Sequence, residues 1–280
     1  MKRRPNETQK LMQRHAGPLA KDFMGKGVVT IMHDANVEKA IRAMDEHNIG
    51  SVVIVDNMGP CGVFTERDLL TRVLARSKDP ASTTIAEVAS PKFPSISSNE
   101  NLEETAAAMI NRKSRLMVFE GSELVGIVTP TDVVRVLRNV PEDFSILKVI
   151  STKVVTVLPE TPMDVVVKLM DEMKIGSVLL AEDGQWNAIF TERDLLKKIL
   201  APRRRLDTQV REVASRPLVT AEPGILGREA SGLMALHGFK RLPLTLKGEG
   251  IGIVTARDLV EAYATTNRPL APRVNWVQWN

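Results

Sequence analysis

The sequence Phe64-Thr65-Glu66-Arg67-Asp68-Leu69-Leu70 returns unchanged at residues 190–196, 126 residues further along the chain. In both places it follows a short apolar run and leads into further apolar residues. A Thr-x-x-Asp after an apolar strand is typical of a helix start, because the hydroxyl and the acid cap the free amide groups there. An identical heptapeptide at such a junction indicates an internal repeat.

The repeat extends far beyond the heptapeptide. Further segments match at the same offset: Val28-Val29-Thr30 with 154–156, Ile49-Gly50-Ser51-Val52 with 175–178, Arg115-Leu116 with 241–242, and Gly126-Ile127-Val128-Thr129 with 252–255. Self-similarity at a fixed period indicates a repeat architecture. The chain is therefore a duplication.

Each half divides again. A Thr-x-x-Asp follows an apolar strand four times, and its aspartates are 64, 62 and 64 residues apart: Thr65/Asp68, Thr129/Asp132, Thr191/Asp194 and Thr255/Asp258. In the first unit, Val37, Ala40, Ile41 and Met44 have the spacing of an amphipathic helix between two β-branched runs. The order β-α-β-β-α over about sixty residues is too small to bury both faces of its sheet, so the units are expected in pairs.

Composition limits the class of protein. The chain has 280 residues, 43% hydrophobic and 26% charged, with a net charge of +4. It has no apolar run of about 20 residues and no secretory signal, and Cys61 is its single cysteine, so we expect a cytoplasmic protein without membrane contact. The histidines lack metal-ligand spacing and no catalytic motif occurs, which predicts no enzyme activity, no metal and no cofactor.

The chain resembles the cystathionine β-synthase (CBS) domain family, through Gly62–Asp68 and the corresponding ends at 126–132, 188–194 and 252–258. Ala188 departs from the glycine of the other three copies. The resemblance covers residues 18–264 and implies an α/β (α+β) fold of four β-α-β-β-α repeats, paired into two pseudo-two-fold Bateman modules. The predicted domains are a basic N-terminal arm at 1–17, CBS pairs at 18–140 and 141–264, and a C-terminal tail at 265–280.

The four Thr/Asp pairs have two interpretations. Each pair can simply cap a helix, which contributes about 1 kcal/mol. A short carboxylate at a fixed helix start can also accept hydrogen bonds from the two hydroxyls of a ribose. The resemblance implies ribose contact at all of them: Asp68, Asp132, Asp194, Asp258, Thr65, Thr129, Thr191 and Thr255.

A phosphate site is predicted one strand away. In nucleotide-binding members of the family, a basic residue at the positions of Arg115 and Arg241 meets phosphate, and Lys240 adds a second cation. The odd repeats have Ser51 and Ser177 there, which donate only neutral hydrogen bonds. The arginines that precede the aspartates face either the cleft or solvent, and the sequence leaves this open: Arg67, Arg193 and Arg257.

Contacts to a base are predicted on the first strand of each half: Val28, Thr30, Val154 and Thr156. The leading hypothesis is a non-catalytic regulatory module that senses cellular energy by binding AMP, ADP or ATP between paired repeats and signals to an effector protein. S-adenosylmethionine is the alternative ligand, although the arginines weigh against it. Nucleic acid, bound through the basic arm and residues 203–205, is a third and weaker possibility because interleaved aromatics are missing.

The duplication also predicts an assembly. We expect two pseudo-symmetric halves, each with two sheets packed through helices, that form a disk either within one chain or in a homodimer. The tail at 265–280 contains Trp276 and Trp279, which are expected to dock on this chain or on a partner.

Overall fold

The computed structural model describes residues 17–91, 93–112 and 115–266. The described strands are β1 (Thr30–Met32), β2 (Ser51–Asp56), β3 (Gly59–Thr65), β4 (Ser95–Ser97), β5 (Leu116–Glu120), β6 (Glu123–Val128), β7 (Thr156–Val157), β8 (Ser177–Glu182), β9 (Gln185–Thr191), β10 (Arg241–Leu246) and β11 (Glu249–Thr255). The described α-helices are α1 (Ala20–Phe23), α2 (Val37–Glu46), α3 (Glu66–Asp68), α4 (Ile85–Val88), α5 (Leu102–Arg112), α6 (Pro130–Leu137), α7 (Met163–Glu172), α8 (Glu192–Asp194), α9 (Gly227–His237) and α10 (Ala256–Thr266). Short π and 3₁₀ turns complete the helical segments: Leu69–Val73, Leu74–Arg76, Leu147–Val149, Leu195–Leu200 and Val210–Glu212.

Each repeat builds its own small sheet. In the first, β1 pairs parallel to β2, and β2 pairs antiparallel to β3. The orders β4-β5-β6 and β7-β8-β9 repeat this arrangement, while the fourth repeat has the hairpin β10-β11 with a parallel bridge from Ala221 to Leu244. Four separate sheets follow from the fourfold sequence repeat, as predicted.

The helices form where the apolar spacing predicts them. In α2, the buried residues are Val37, Ala40, Ile41 and Met44, which lie on one helical face. The Asn36 side chain caps the helix by accepting a hydrogen bond from the Lys39 amide at 3.1 Å. This buried face packs on the sheet of its own repeat, where Val52, Ile54 and Phe64 belong to the same core.

Within a half, the two repeats meet through their sheets. Val53 and Val63 of the first repeat form a buried cluster with Met117 of the second. In the second half, the Trp186 ring lies against Gly250, where a β-carbon would come within 2.2 Å of the ring. The helices therefore remain on the opposite face of each sheet.

Those helices pack across the two halves. Leu70 of the first repeat lies in the core of the third, and Leu196 of the third lies in the core of the first. Repeats two and four share one large core, in which the Phe144 and Tyr263 rings meet edge to face at 5.6 Å. The expectation that helices would join the sheets within each half is wrong. In α10, buried residues such as Leu259, Val260 and Tyr263 lie on more than one side of the helix, so a second face needs a partner, and the other half of the chain supplies it.

The predicted arm at 1–17 lies outside the described residues except for Gly17, and the tail at 265–280 does so beyond Thr266. None of the helices in the described ranges is long and apolar enough to cross a bilayer.

Candidate functional site

The four Thr/Asp pairs adopt one local geometry. The threonine amide donates to the aspartate Oδ2 at 3.0, 2.8, 2.9 and 2.7 Å in repeats one to four. In the first three repeats the threonine hydroxyl also lies 2.6–2.7 Å from that oxygen. In the fourth, the Asp258 amide donates to the Thr255 hydroxyl at 3.3 Å. Each pair therefore caps its helix, and any ligand contact comes in addition to this role.

The second carboxylate oxygen distinguishes the repeats. In Asp194, Oδ1 accepts from Ser215 at 2.7 Å and lies 2.8 Å from the Lys198 ammonium. In Asp68, Oδ1 has the corresponding contacts with Ser90 at 3.5 Å and Arg72 at 3.3 Å. These two aspartates are largely engaged by their own repeats.

The even repeats leave this oxygen more accessible. Asp132 Oδ1 accepts from Arg135 at 3.2 Å, and that arginine is 62% exposed. Among the described residues, no hydrogen bond reaches Asp258 Oδ1, and no Lys or Arg nitrogen lies within ion-pair distance of it. Burial raises the pKa of Asp258, while its hydrogen bonds from Thr255 oppose the shift. Asp258 is thus the aspartate best placed to accept a hydrogen bond from a ligand.

Strand register brings the predicted phosphate residues beside these aspartates. Ser51 pairs with Thr65, Ser177 with Thr191, and Arg241 with Thr255. Because the helix start follows the threonine directly, each of these side chains lies at the mouth of the same strand–helix junction. Leu116 pairs with Val128, which places the preceding Arg115 at the corresponding point of the second repeat.

The cations meet at the centre of the four repeats. Arg115 donates to the Gly50 carbonyl oxygen of the first repeat at 3.3 Å. Lys240 lies 3.1 Å from Glu66 Oε2, and Arg241 lies 3.1 Å from Glu192 Oε2. The structure thus brings the three predicted basic residues into one region, although two of them contact carboxylates.

Glu66 and Glu192 were not predicted to belong to the site. They make reciprocal ion pairs across the halves, with Arg193 Nε at 2.8 Å from Glu66 and Arg67 Nε at 2.6 Å from Glu192. Of the two orientations left open for the arginines, Arg67 and Arg193 therefore face the centre. The sequence did contain a signal for these two residues. Both copies of the heptapeptide have a glutamate, although helix capping requires only the threonine and the aspartate.

Two duplicated glycines make room for these glutamates. A β-carbon at Gly50 would lie 2.8 Å from Glu66 Oε2. At Gly176 it would lie 2.7 Å from Glu192 Oε2 and 1.9 Å from an Arg241 guanidinium nitrogen. The charged centre thus explains why both copies of Ile-Gly-Ser, at 49–51 and 175–177, have glycine next to the strand.

Cationic side chains gather at this centre together with carboxylates of the helix starts. The cations are Arg67, Arg115, Arg193, Lys240, Arg241 and Arg257, and the carboxylates that act on them include Glu66, Glu192, Asp68 and Asp258. Burial lowers the pKa of Arg115, although Glu66, Asp68 and Glu192 oppose this shift. Burial likewise lowers the pKa of Arg257, although Asp258 opposes this shift. Within the described ranges, neither arginine has a carboxylate within 4.0 Å. Desolvated cations without a carboxylate partner favour an anion.

The predicted base contacts lie on or just before the first strand of each half. Val28 is partly buried against the sheet-to-sheet cluster of the first half, and Val154 is also partly buried. Thr30 and Thr156 are exposed on β1 and β7. The two threonines are thus accessible, while the two valines are partly covered.

Two other basic regions are less suited to bind an anion, because most of their cations already have carboxylate partners. An open groove of about 550 Å³ between the first and third repeats contains Arg72, Arg76, Lys78 and Lys174, and each of these has a carboxylate partner. In the cluster at 203–205, Arg203 pairs with Glu38 and Arg205 with Asp207. The described residues also include no group of three or more side chains placed to bind a metal ion.

Four β-α-β-β-α repeats with their cationic side chains at one centre define a ligand-binding type of repeat fold. The CBS domain family model matches residues 20–75, 85–139, 146–201 and 210–265, so the chain belongs to the CBS domain family. Proteins built only of these domains are generally regulatory.

Curated relatives include protein MJ1404 of Methanocaldococcus jannaschii, 25% identical over 268 residues. The match covers 87% of this chain, which spans only 61% of that relative. Hypoxic response protein 1 of Mycobacterium tuberculosis is 32% identical over 125 residues, or 44% of this chain and 85% of the relative.

Solved structures support the fold. The crystal structure of MJ1225 from Methanocaldococcus jannaschii, described as a proposed archaeal homologue of g-AMPK, has a TM-score of 0.74 at 17% identity and covers 88% of this chain and 100% of its own. A conserved protein from Pyrococcus horikoshii has a TM-score of 0.62 at 21% identity, with 87% and 99% coverage.

Proposed function

We propose that this chain binds adenine nucleotides at the clefts between its paired repeats and transmits their presence to an effector protein, without catalysis. The observation that carries the proposal is the cationic centre, where Arg115 and Arg257 have no carboxylate within ion-pair distance among the described residues. MJ1225, which shares this fold, is described as a proposed archaeal homologue of g-AMPK, and that description favours the same class of ligand.

Phosphate is the anion that best suits this site. A guanidinium group presents parallel N–H donors that match phosphate oxygens, and a partly buried position strengthens these charge-assisted hydrogen bonds. Arg115 already points a donor at a carbonyl oxygen, which is a weaker acceptor than a phosphate. Ser51, which is buried, and Ser177 add neutral donors at the same strand positions.

The ribose belongs beside the aspartates of the even repeats. Among the residues that the structure describes, Asp258 Oδ1 has no hydrogen-bond donor and so is available to accept a hydroxyl, and Asp132 Oδ1 is held only by an exposed arginine. The odd repeats offer a second pair of sites, since their threonines and aspartates have the same geometry, but there a ligand competes with Ser90 or Ser215. Val28, Thr30, Val154 and Thr156 would then contact the base.

The architecture supports a signalling role. Lys240 and Arg241 come from the fourth repeat, whereas the carboxylates that hold them come from the first and third. A phosphate bound there contacts several repeats at once and favours the relative orientation in which those contacts are shortest. An effector that senses this orientation would respond to the nucleotide.

A thermal-shift panel tests the proposal. AMP, ADP and ATP should raise the midpoint of unfolding in a concentration-dependent way, because a ligand that binds only the folded chain stabilises it. S-adenosylmethionine lacks phosphate and carries a sulfonium, so it should have a smaller effect. If S-adenosylmethionine or NADH stabilised the chain more than all three nucleotides, the phosphate-based assignment would be wrong.

A further inference from the structure

Lys240 and Arg241 are neutralised in this structure by the protein itself. Their partners Glu66 and Glu192 have side chains only 8% and 10% exposed. Burial disfavours the Glu66 carboxylate, yet Lys240 and then Arg193 outweigh this effect and hold its pKa below the ordinary value. Glu66 is therefore charged at neutral pH and occupies the position of an internal anion.

The two halves differ at this point. The counterpart of the Arg241–Glu192 pair, 126 residues earlier, is Arg115 with Glu66. That pair is not formed in the described part of the chain, because Glu66 is engaged by Lys240 and Arg193 while Arg115 donates to Gly50. Lys240 has Ser114 as its counterpart in the sequence, so the fourth repeat alone places a lysine here.

The centre therefore contains two kinds of cation. Arg115 and Arg257 form no ion pair with the described residues, so they can receive an anion without the loss of one. Lys240 and Arg241 can do so only after a buried glutamate has been displaced, or by placing the anion beside that glutamate. Either event is unfavourable, because like charges repel strongly where water is scarce and a displaced buried carboxylate loses its partner.

We propose that Glu66 and Glu192 are specificity-determining residues that limit the centre to a ligand with one phosphate group and oppose the binding of di- and triphosphates. The inference deepens the proposed function, since it specifies which adenine nucleotide the site prefers. An anion bound at Arg115 already lies near these carboxylates, because Glu66 and Glu192 both act on that guanidinium, and each further phosphate of a longer chain adds negative charge beside them.

The test compares Glu66→Gln and Glu192→Gln with the wild type by calorimetric titration of AMP and ATP. Glutamine keeps the size of the side chain but removes the charge, so the ratio of the ATP Kd to the AMP Kd should fall about tenfold or more in each variant. The matched control is Glu160→Gln, which removes one charge from an exposed pair with Arg211 and should leave the ratio unchanged. An unchanged ratio in both central variants would overturn the inference.

A second measurement does not depend on adenine or on the variants. Inorganic phosphate should stabilise the wild type at least as much as pyrophosphate in thermal unfolding, and the order should reverse in Glu66→Gln and Glu192→Gln. The inference would be overturned if pyrophosphate stabilised the wild type much more than phosphate does. It would also be overturned if neither anion changed the midpoint of unfolding. If the order reverses but AMP does not bind, the adenine assignment fails while the role of the glutamates stands.

Discussion

Arg67 of the first repeat lies 2.6 Å from the carboxylate of Glu192 in the third. Arg193 and Glu66 repeat this contact in the opposite direction at 2.8 Å. The same heptapeptide thus supplies both the cation and the anion, and one copy is complementary to the other. A duplicated segment that pairs with its own copy explains why both members retain the same letters, and it joins the two halves by charge as well as by apolar packing.

The first prediction concerns the contribution of these crossed pairs to stability. Arg193→Ala removes one of the two cations on buried Glu66 and should lower the free energy of unfolding by about 1–3 kcal/mol, since a poorly compensated buried carboxylate remains. Arg211→Ala is the control, because its pair with Glu160 is exposed on both sides and should change stability by less than about 1 kcal/mol. Chemical denaturation measures the free energy of unfolding of both variants. Equal losses would mean that the Arg193–Glu66 pair contributes no more than an exposed surface pair.

The second prediction is a pH dependence. The folded-state pKa of Glu66 lies below its ordinary value of 4.5 despite burial, because Lys240 and Arg193 favour the charged form. Its stabilising contribution is therefore present above pH 4.5 and is lost as the pH falls through the lower folded-state pKa. The difference in unfolding free energy between the wild type and Glu66→Gln should shrink on acidification below 4.5. A difference that grows over this range would show that the carboxylate is destabilised by its surroundings.

The third prediction separates the two roles of the aspartates. Asp194→Ala removes the partner of Thr191, Ser215 and Lys198, so we expect mainly a loss of stability, about 1–3 kcal/mol. Asp258→Ala loses a helix cap, about 1 kcal/mol, but should weaken AMP binding more than Asp194→Ala does. Calorimetry and denaturation of both variants check this. If AMP affinity were unchanged in Asp258→Ala, capping alone would account for that aspartate.

The sequence was sufficient for the fold because its signals are local and repeated. The Thr-x-x-Asp spacing located the four helix starts, and the spacing of Val37, Ile41 and Met44 located a buried face, which the structure confirms. The packing between halves was not predictable from these signals. The contacts of Glu66 join residues 127 and 174 positions apart in the chain, and such pairs depend on how two finished halves dock.

The duplicated glycines provide the fourth prediction. In Gly176→Ala the new β-carbon would meet the Arg241 guanidinium, so that side chain must move away from Glu192. Glu192 then loses its arginine partner and repels an anion at the centre, so we expect weaker AMP binding with the fold retained. Gly232→Ala is the control, because that helical glycine has open space around its β-carbon position and alanine favours helix. If Gly176→Ala bound AMP like the wild type, the position of Arg241 would be irrelevant to the ligand.

The fifth prediction tests the phosphate contact directly with Arg115→Ala and Arg241→Ala. A charge-assisted hydrogen bond contributes about 1.5–3 kcal/mol, so each variant should lose up to that amount of AMP affinity. Arg115→Ala should lose more, because Arg115 has no carboxylate within ion-pair distance among the described residues, whereas Arg241 must be released from Glu192 before it can bind.

Adenosine is the matched ligand for these two variants, since it has the base and the ribose but lacks the phosphate. It should bind the wild type more weakly than AMP, and its affinity should hardly change on loss of either arginine. Arg115→Lys keeps the charge but lacks the planar fork of donors, so it should recover only part of the AMP affinity. Calorimetric titration of AMP and adenosine against the wild type and these variants distinguishes a phosphate contact from a structural role of the arginines. Equal losses for AMP and adenosine would show that the arginines support the structure of the cleft, because a phosphate contact cannot affect a ligand that has no phosphate.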